Sequence, residues 1–93
     1  IMEIVWSYEV LESYFKVIDY LLVNWTSKSI EKFENNFDEL LERLSNHKEI
    51  CPKSKLLNFR KCIIDKNNSL IYQEINDKIF LVTLINNSSS HSY

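Results

Sequence analysis

The side chains best able to do chemistry lie in two places, a cationic strip and the C-terminal end. Residues 50–66 carry five basic side chains, and the chain ends in His91-Ser92-Tyr93. Attack of a ribose 2′-hydroxyl on its phosphodiester requires a general base, a general acid and positive charge near the developing phosphorane. The candidate charge donors are Arg60, Lys61, Lys53 and Lys55, and the candidate proton shuttles are His91 and Tyr93.

Each of these residues also has an ordinary interpretation. A histidine in a polar, serine-rich tail is usually only solvated. Arg60 stands at the start of a predicted strand and could instead pair with a helix carboxylate such as Glu42. The net charge is −2, whereas nucleic-acid-binding domains usually have a strongly basic balance. This charge balance argues against RNA as the target.

Length and cysteine content limit the class of protein. Ninety-three residues, 45% of them hydrophobic, suffice for one marginally stable domain that a partner would stabilise further. No apolar run approaches the ~20 residues that cross a membrane, and Met2–Trp6 lacks the basic start of a signal peptide. We therefore expect a cytoplasmic protein in which Cys51 and Cys62 are reduced. No metal site or cofactor is predicted, because the cysteines lack the spacing of a zinc site.

Charge is distributed unevenly along the chain. Residues 1–49 contain ten acidic and five basic side chains, whereas residues 50–66 contain five basic side chains and one acidic. This asymmetry predicts an acidic helical side and a separate basic strip.

Hydrophobic periodicity predicts two helices. Apolar residues recur at steps of three and four from Val10 to Leu22, and again from Ile30 to Leu44, which is typical of amphipathic helices. Ser7 can cap the first helix and Thr26 or Ser27 the second. The short connection between them predicts an antiparallel helical hairpin.

The remaining pattern has the alternation of strands. Residues 2–6 and the segment from Phe59 are short β-type runs, and 70–75 and 78–85 are richer in β-branched and aromatic residues. The chain has no glycine, so Asn76-Asp77, which tolerates positive φ, is the predicted hairpin turn.

These elements predict one α+β domain over residues 2–87. The order is β-α-α-β-β-β, with the helical hairpin packed on one face of an antiparallel sheet. The first strand either joins that sheet or remains an edge. Residues 88–93 form a polar tail that we expect to be loose.

Several short motifs, in this order, resemble the RelE/ParE toxins of bacterial type II toxin–antitoxin systems. The resemblance runs from Ile4 to Asn87. The segments that carry it are Ile4-Val5-Trp6-Ser7, Ile18-Asp19-Tyr20-Leu21, Asn24-Trp25-Thr26, Ile30-Glu31-Lys32-Phe33, Phe59-Arg60-Lys61, Asn68-Ser69-Leu70-Ile71-Tyr72 and Lys78-Ile79-Phe80-Leu81-Val82.

The resemblance implies a growth-inhibiting toxin of the plasmid-stabilisation type, neutralised by a cognate antitoxin in a hetero-oligomer. A ParE-like protein would bind DNA gyrase, which needs a surface and no catalytic residues. The alternatives are a RelE-like, ribosome-dependent mRNA endoribonuclease and an inactive relic that still binds antitoxin.

Site candidates follow from this resemblance. Arg60, Lys61, His91 and Tyr93 are the candidate catalytic residues. Tyr14, Trp25 and Phe33 are candidates to line a groove for an antitoxin helix, although aromatic residues at helical spacing usually face the core. Many relatives carry an arginine after the fourth strand, where this chain has Ser88.

Overall fold

The computed structural model describes residues 1–56 and 58–93. Its elements follow the predicted order β-α-α-β-β-β. They are β1 (Glu3–Trp6), α1 (Tyr8–Asn24), α2 (Ser27–Asn46), β2 (Arg60–Ile63), β3 (Asn68–Ile75) and β4 (Lys78–Asn86).

Both helices begin at the predicted caps. The Ser7 hydroxyl accepts a hydrogen bond from the Val10 amide at 2.9 Å, and the Thr26 hydroxyl accepts one from the Ser29 amide at 3.3 Å. Each cap satisfies an amide that has no partner within its helix. Only Trp25 and Thr26 separate α1 from α2, and the two helices form a hairpin.

The four strands form one open sheet in the order β1-β4-β3-β2. The β3–β4 hairpin turns at Asn76 and Asp77, whose φ values are 50° and 63°, as predicted for a turn built without glycine. β1 pairs with β4 in parallel, so the sheet is mixed, whereas an antiparallel sheet was predicted. A parallel neighbour requires a long crossover connection, which the helical hairpin and the strands after it supply.

The core lies between the helical hairpin and one face of the sheet. Its fully buried members include Val10 from α1, Phe37 and Leu44 from α2, and Tyr72 and Leu81 from the sheet. An aromatic cluster joins the layers at one end. In it the Trp6 ring lies 5.4 Å from Phe37, and Tyr14 lies 5.1 Å from the same ring.

The edge of β4 is unpaired beyond the end of β1, and α1 completes it. β1 stops at Trp6, opposite Leu81. The next residue, Ser7, donates its amide to the Leu81 carbonyl at 3.2 Å and its hydroxyl to the Val82 carbonyl at 2.9 Å. Nearly two turns further along, the Ser13 hydroxyl accepts a hydrogen bond from the Leu84 amide at 3.0 Å.

A bulge in β4 explains how two successive carbonyls reach the same serine. Ile71 pairs with Thr83 and Tyr72 with Leu81, which leaves Val82 as an extra residue in β4. A bulge bends the strand and redirects its backbone groups. The two serines of α1 therefore satisfy backbone groups that a longer β1 would have paired.

We predict that Ser13→Ala lowers the free energy of unfolding by about 1–3 kcal/mol, because it leaves the Leu84 amide without a partner in a partly buried site. The matched control is Ser45→Ala, which removes only an exposed bond from the Ser45 hydroxyl to the Glu42 carbonyl. Urea denaturation of the purified proteins measures both. Equal stability of the two variants would contradict a role for Ser13 in holding α1 on β4.

Candidate functional site

One candidate site lies on the sheet face opposite the helices. Lys61 pairs with Ile71, which pairs with Thr83. Ile71 and Thr83 are buried but lie outside the cluster packed against the helices. Phe59 lies just before β2 and two residues before Lys61, so the alternation of side chains along a strand places it on the same side. We call this surface, formed by Phe59, Lys61, Ile71 and Thr83, the tail face.

The C-terminal tail returns to the tail face, although it was expected to be loose. The Tyr93 ring lies 5.9 Å from Phe59 and 6.3 Å from His91. At its base, Asn87 donates from its side-chain amide to the carbonyls of Asp65 and Lys66, both at 3.1 Å. The tail therefore meets the tail face at Phe59, where Tyr93 lies with His91 beside it.

His91 is chemically the most unusual residue of this group. Its Nδ1 atom is buried and has no hydrogen-bond partner in the described part of the chain. Buried polar atoms nearly always have a partner, so this nitrogen is an exception. An imidazole beside a phenol, on a face with one lysine ammonium, can donate and accept protons and can attract an anion.

Arg60 does not join that group. It pairs with Tyr72, whose buried side chain belongs to the helix-side core, so Arg60 and Lys61 lie on opposite faces. Its Nη1 atom donates to the Cys51 carbonyl at 2.7 Å. Burial raises the pKa of Tyr72, and the hydrogen bond with the backbone of Cys51 and the charge of Arg60 act in the opposite direction. The alternative ion pair with Glu42 is not formed among the described residues.

The basic strip borders an open groove at the outer edge of the sheet. The groove has a volume of about 540 Å³. Its lining includes Lys53, Lys55 and Phe59, together with the carboxylates of Glu49 and Glu74. Glu74 pairs with Lys48 at 3.5 Å. The groove therefore carries both signs of charge, and the strip does not form an uninterrupted cationic surface.

The three candidate antitoxin contacts have different environments. Phe33 is 3% exposed and lies in the core. Tyr14 is half-buried between the helices, with its ring 5.6 Å from Phe33. Trp25 is 63% exposed at the junction of the helices. Of the three, Trp25 presents the largest free surface to a partner.

An exposed apolar surface that runs along α1 was not predicted from the sequence. Leu11, Phe15, Leu22 and Tyr8 are 40%, 54%, 67% and 79% exposed. At about 100° per residue they lie within about 60° of one another on the helix. We call these four residues the α1 stripe. The signal in the sequence was the width of the apolar face, which exceeds what one hairpin partner and a narrow sheet can cover.

The two cysteines are bonded to each other, so the expectation that they are reduced is wrong. The Cys51–Cys62 sulfurs are 2.04 Å apart, and the Cα atoms are separated by 5.2 Å. The segment around Pro52 folds alongside β2, where the Lys61 amide donates to the Pro52 carbonyl at 3.0 Å. This pairing, which the sequence did not predict, places the thiols at bonding distance.

Two other site classes have no structural support in the described ranges, 1–56 and 58–93. No group of three or more His, Cys, Asp or Glu side chains there is arranged to hold a metal ion. No helix there has the length and apolar character needed to span a membrane.

Comparison with known proteins identifies relatives of this chain. Residues 4–90 match the sequence family described as the ParE toxin of the type II toxin–antitoxin system parDE. No curated protein matches the sequence.

Structures similar to this chain have been solved from Helicobacter pylori and Staphylococcus aureus, among others. A copper-bound mutant toxin from Helicobacter pylori is 19% identical, with a TM-score of 0.69 over 95% of this chain and 97% of that one. A chain of the YoeB–YefM complex from Staphylococcus aureus is 18% identical, with a TM-score of 0.63 over 91% of this chain and 95% of that one. The Staphylococcus aureus YoeB dimer is 18% identical, with a TM-score of 0.61 over 88% of this chain and 92% of that one. At this identity the likeness establishes a shared fold.

We predict that replacing both cysteines by alanine lowers the free energy of unfolding by about 2–3 kcal/mol, because the disulfide closes a short loop in the unfolded chain. Urea denaturation with and without a thiol reductant measures this. Reductant should destabilise the wild type and leave the double variant unchanged. A wild type insensitive to reductant would show that the disulfide does not contribute to stability.

Proposed function

Since the chain belongs to the ParE toxin family of type II toxin–antitoxin systems, we propose that it is a toxin that a cognate antitoxin holds inactive. We further propose that the free toxin stops growth by binding DNA gyrase. The observation that carries the first part is the exposed α1 stripe. The second part follows from the family and from the small number of candidate catalytic side chains on the tail face.

The α1 stripe supports a protein partner because its exposure is unfavourable. Each large apolar side chain left in water forgoes about 1.5–3 kcal/mol that full burial would provide. Scattered apolar side chains are common on surfaces, but a contiguous row is typical of an interaction site. The stripe spans 15 residues of α1, or about 21 Å at 1.5 Å per residue. That length suits a partner helix of about four turns.

A similar fold has been solved in complex with a protein, the Staphylococcus aureus YoeB–YefM complex. This supports a protein partner for the present chain as well. We expect the toxin and its antitoxin to form a hetero-oligomer in which the α1 stripe is covered.

Gyrase is the preferred target because binding requires only a surface. Cleavage of RNA requires several positioned groups, and the tail face has one lysine, Lys61. Arg60 points to the other face and donates to the Cys51 carbonyl. The family resemblance leads us to expect an arginine after the fourth strand, and this chain has Ser88 there. The net charge of −2 is also unfavourable for contacts to RNA phosphates.

One observation favours the second candidate, cleavage of mRNA on the ribosome. His91 and Tyr93 lie together on the tail face, and His91 Nδ1 has no partner there. In that mechanism His91 would exchange a proton with the ribose hydroxyl or the leaving oxygen. Lys61 would stabilise the charge on the phosphate.

The two targets predict different cellular responses. We expect expression of residues 2–93 without antitoxin to arrest growth and to raise a DNA-damage reporter several-fold, because poisoned gyrase leaves broken DNA. Growth arrest with a flat reporter would reject gyrase, and loss of arrest on His91→Ala would then identify mRNA cleavage. Normal growth at a verified protein level would contradict toxicity altogether.

The α1 stripe provides a separate prediction. Phe15→Asp should weaken binding of the antitoxin, taken as the product of the adjacent small gene, by at least tenfold, because a charge replaces an apolar contact. Isothermal titration calorimetry measures the Kd.

The control for Phe15→Asp is Ile63→Asp, which changes an exposed apolar residue on β2, away from the stripe. It should bind the antitoxin within threefold of the wild type. Thermal melts of both variants establish that each is folded. If Phe15→Asp binds as tightly as the wild type, the α1 stripe is not the antitoxin site.

A further inference from the structure

Four carboxylates form a row along one side of α2. They lie at steps of three, four and four residues, and all four residues are exposed. The acidic row consists of Glu31, Glu34, Asp38 and Glu42. At this spacing the side chains stack along one side of the helix. The basic side chains Lys32 and Arg43 and the carboxylate of Glu39 fall on another side of α2.

The middle of the acidic row, Glu34 and Asp38, lies near Tyr14 of α1. The Tyr14 side chain lies between the helices, 5.1 Å from Phe37. Burial, followed by the charges of Glu34 and Asp38, raises the pKa of its hydroxyl. These two carboxylates are therefore near Tyr14. The Tyr14 ring in turn lies 5.8 Å from that of Phe15, a member of the α1 stripe.

In the part of the chain that the structure describes, no basic side chain forms an ion pair with the acidic row. Within the described residues the two ion pairs involve Glu74 and Glu3, and neither belongs to the row. Like charges three and four residues apart on a helix repel one another. A solvated acidic surface is common on proteins. Here, however, the row runs beside a stripe of exposed apolar side chains. One ligand with an apolar side and a basic side would bury the stripe and neutralise the row.

We propose that the surface formed by the α1 stripe and the acidic row, called the groove below, binds a basic amphipathic helix of the antitoxin. Its apolar side chains, at every third or fourth position, lie on the α1 stripe. Its lysine and arginine side chains lie opposite the acidic row. This proposal rests on the proposed function, because it assumes that an antitoxin binds the chain, and it adds the charge and shape of the segment that binds.

A matched pair of substitutions on α2 tests the charge of the partner. Glu34→Lys reverses a charge within the acidic row, and Glu39→Lys makes the same change on another side of the same helix. Both residues are exposed, so both variants should fold, and thermal melts and circular dichroism verify this. The ligand is the product of the adjacent small gene, and calorimetry measures its Kd at low and high salt.

Glu34→Lys should raise the Kd at least tenfold at low salt and reduce its dependence on salt, because it replaces an attractive contact by a repulsive one. Glu39→Lys should change the Kd less than threefold. The double variant Glu34→Lys/Asp38→Lys should weaken binding further. Together these results would support a basic helix in the groove.

Two other results separate the possible failures. If the wild type binds and Glu34→Lys binds equally well or more tightly, the antitoxin segment at this groove is not basic. The inference is then wrong while the proposed function stands. If the wild type does not bind the adjacent gene product at all, the proposed function itself loses its support.

Discussion

The attachment of α1 to the unpaired edge of β4 determines most of what this chain displays. β1 is only four residues long, so the backbone of β4 beyond Leu81 has no strand on the side away from β3. Ser7 and Ser13 supply the missing hydrogen bonds, and the bulge at Val82 orients the groups that they bind. These bonds fix the rotation of α1 about its axis. They therefore determine which of its apolar side chains face the core and which face solvent.

Rotated in this way, α1 has more apolar surface than the domain can bury. Val10 is its only fully buried member among the described residues, while the α1 stripe remains in water. A domain of this size buries a smaller fraction of its surface than a larger one. The same geometry sets the stripe beside the acidic row of α2. A marginally stable domain with such a surface gains stability when a partner binds.

The sequence predicted the elements that follow from local chemistry. The hydrophobic periodicity predicted both helices. Ser7 and Thr26 were predicted as their caps, and Asn76-Asp77 as the hairpin turn. It did not predict the features that depend on distant contacts. The parallel pairing of β1 with β4 and the Cys51–Cys62 bond each join segments whose proximity is set by the whole fold.

The candidate site was predictable only in part, for the same reason. Arg60 and Lys61 are adjacent in sequence, but strand alternation sends them to opposite faces, and the register decides which one meets the tail. His91 and Tyr93 looked solvated because a serine-rich segment carries no local signal for its return to Phe59. Phe33 and Phe15 both lie at helical spacing, and only the packing shows that one is core and the other surface.

We expect the partner to cover α1 and α2 while the tail face stays free. Hydrogen–deuterium exchange of the chain alone and bound to the adjacent gene product tests it most directly, because amide protection increases where a helix surface is covered and local opening is suppressed. We predict slower exchange in residues 8–24 and 31–42, with exchange in 59–63 and 88–93 unchanged. Protection confined to residues 59–63 and 88–93, with the helices unchanged, would contradict this account.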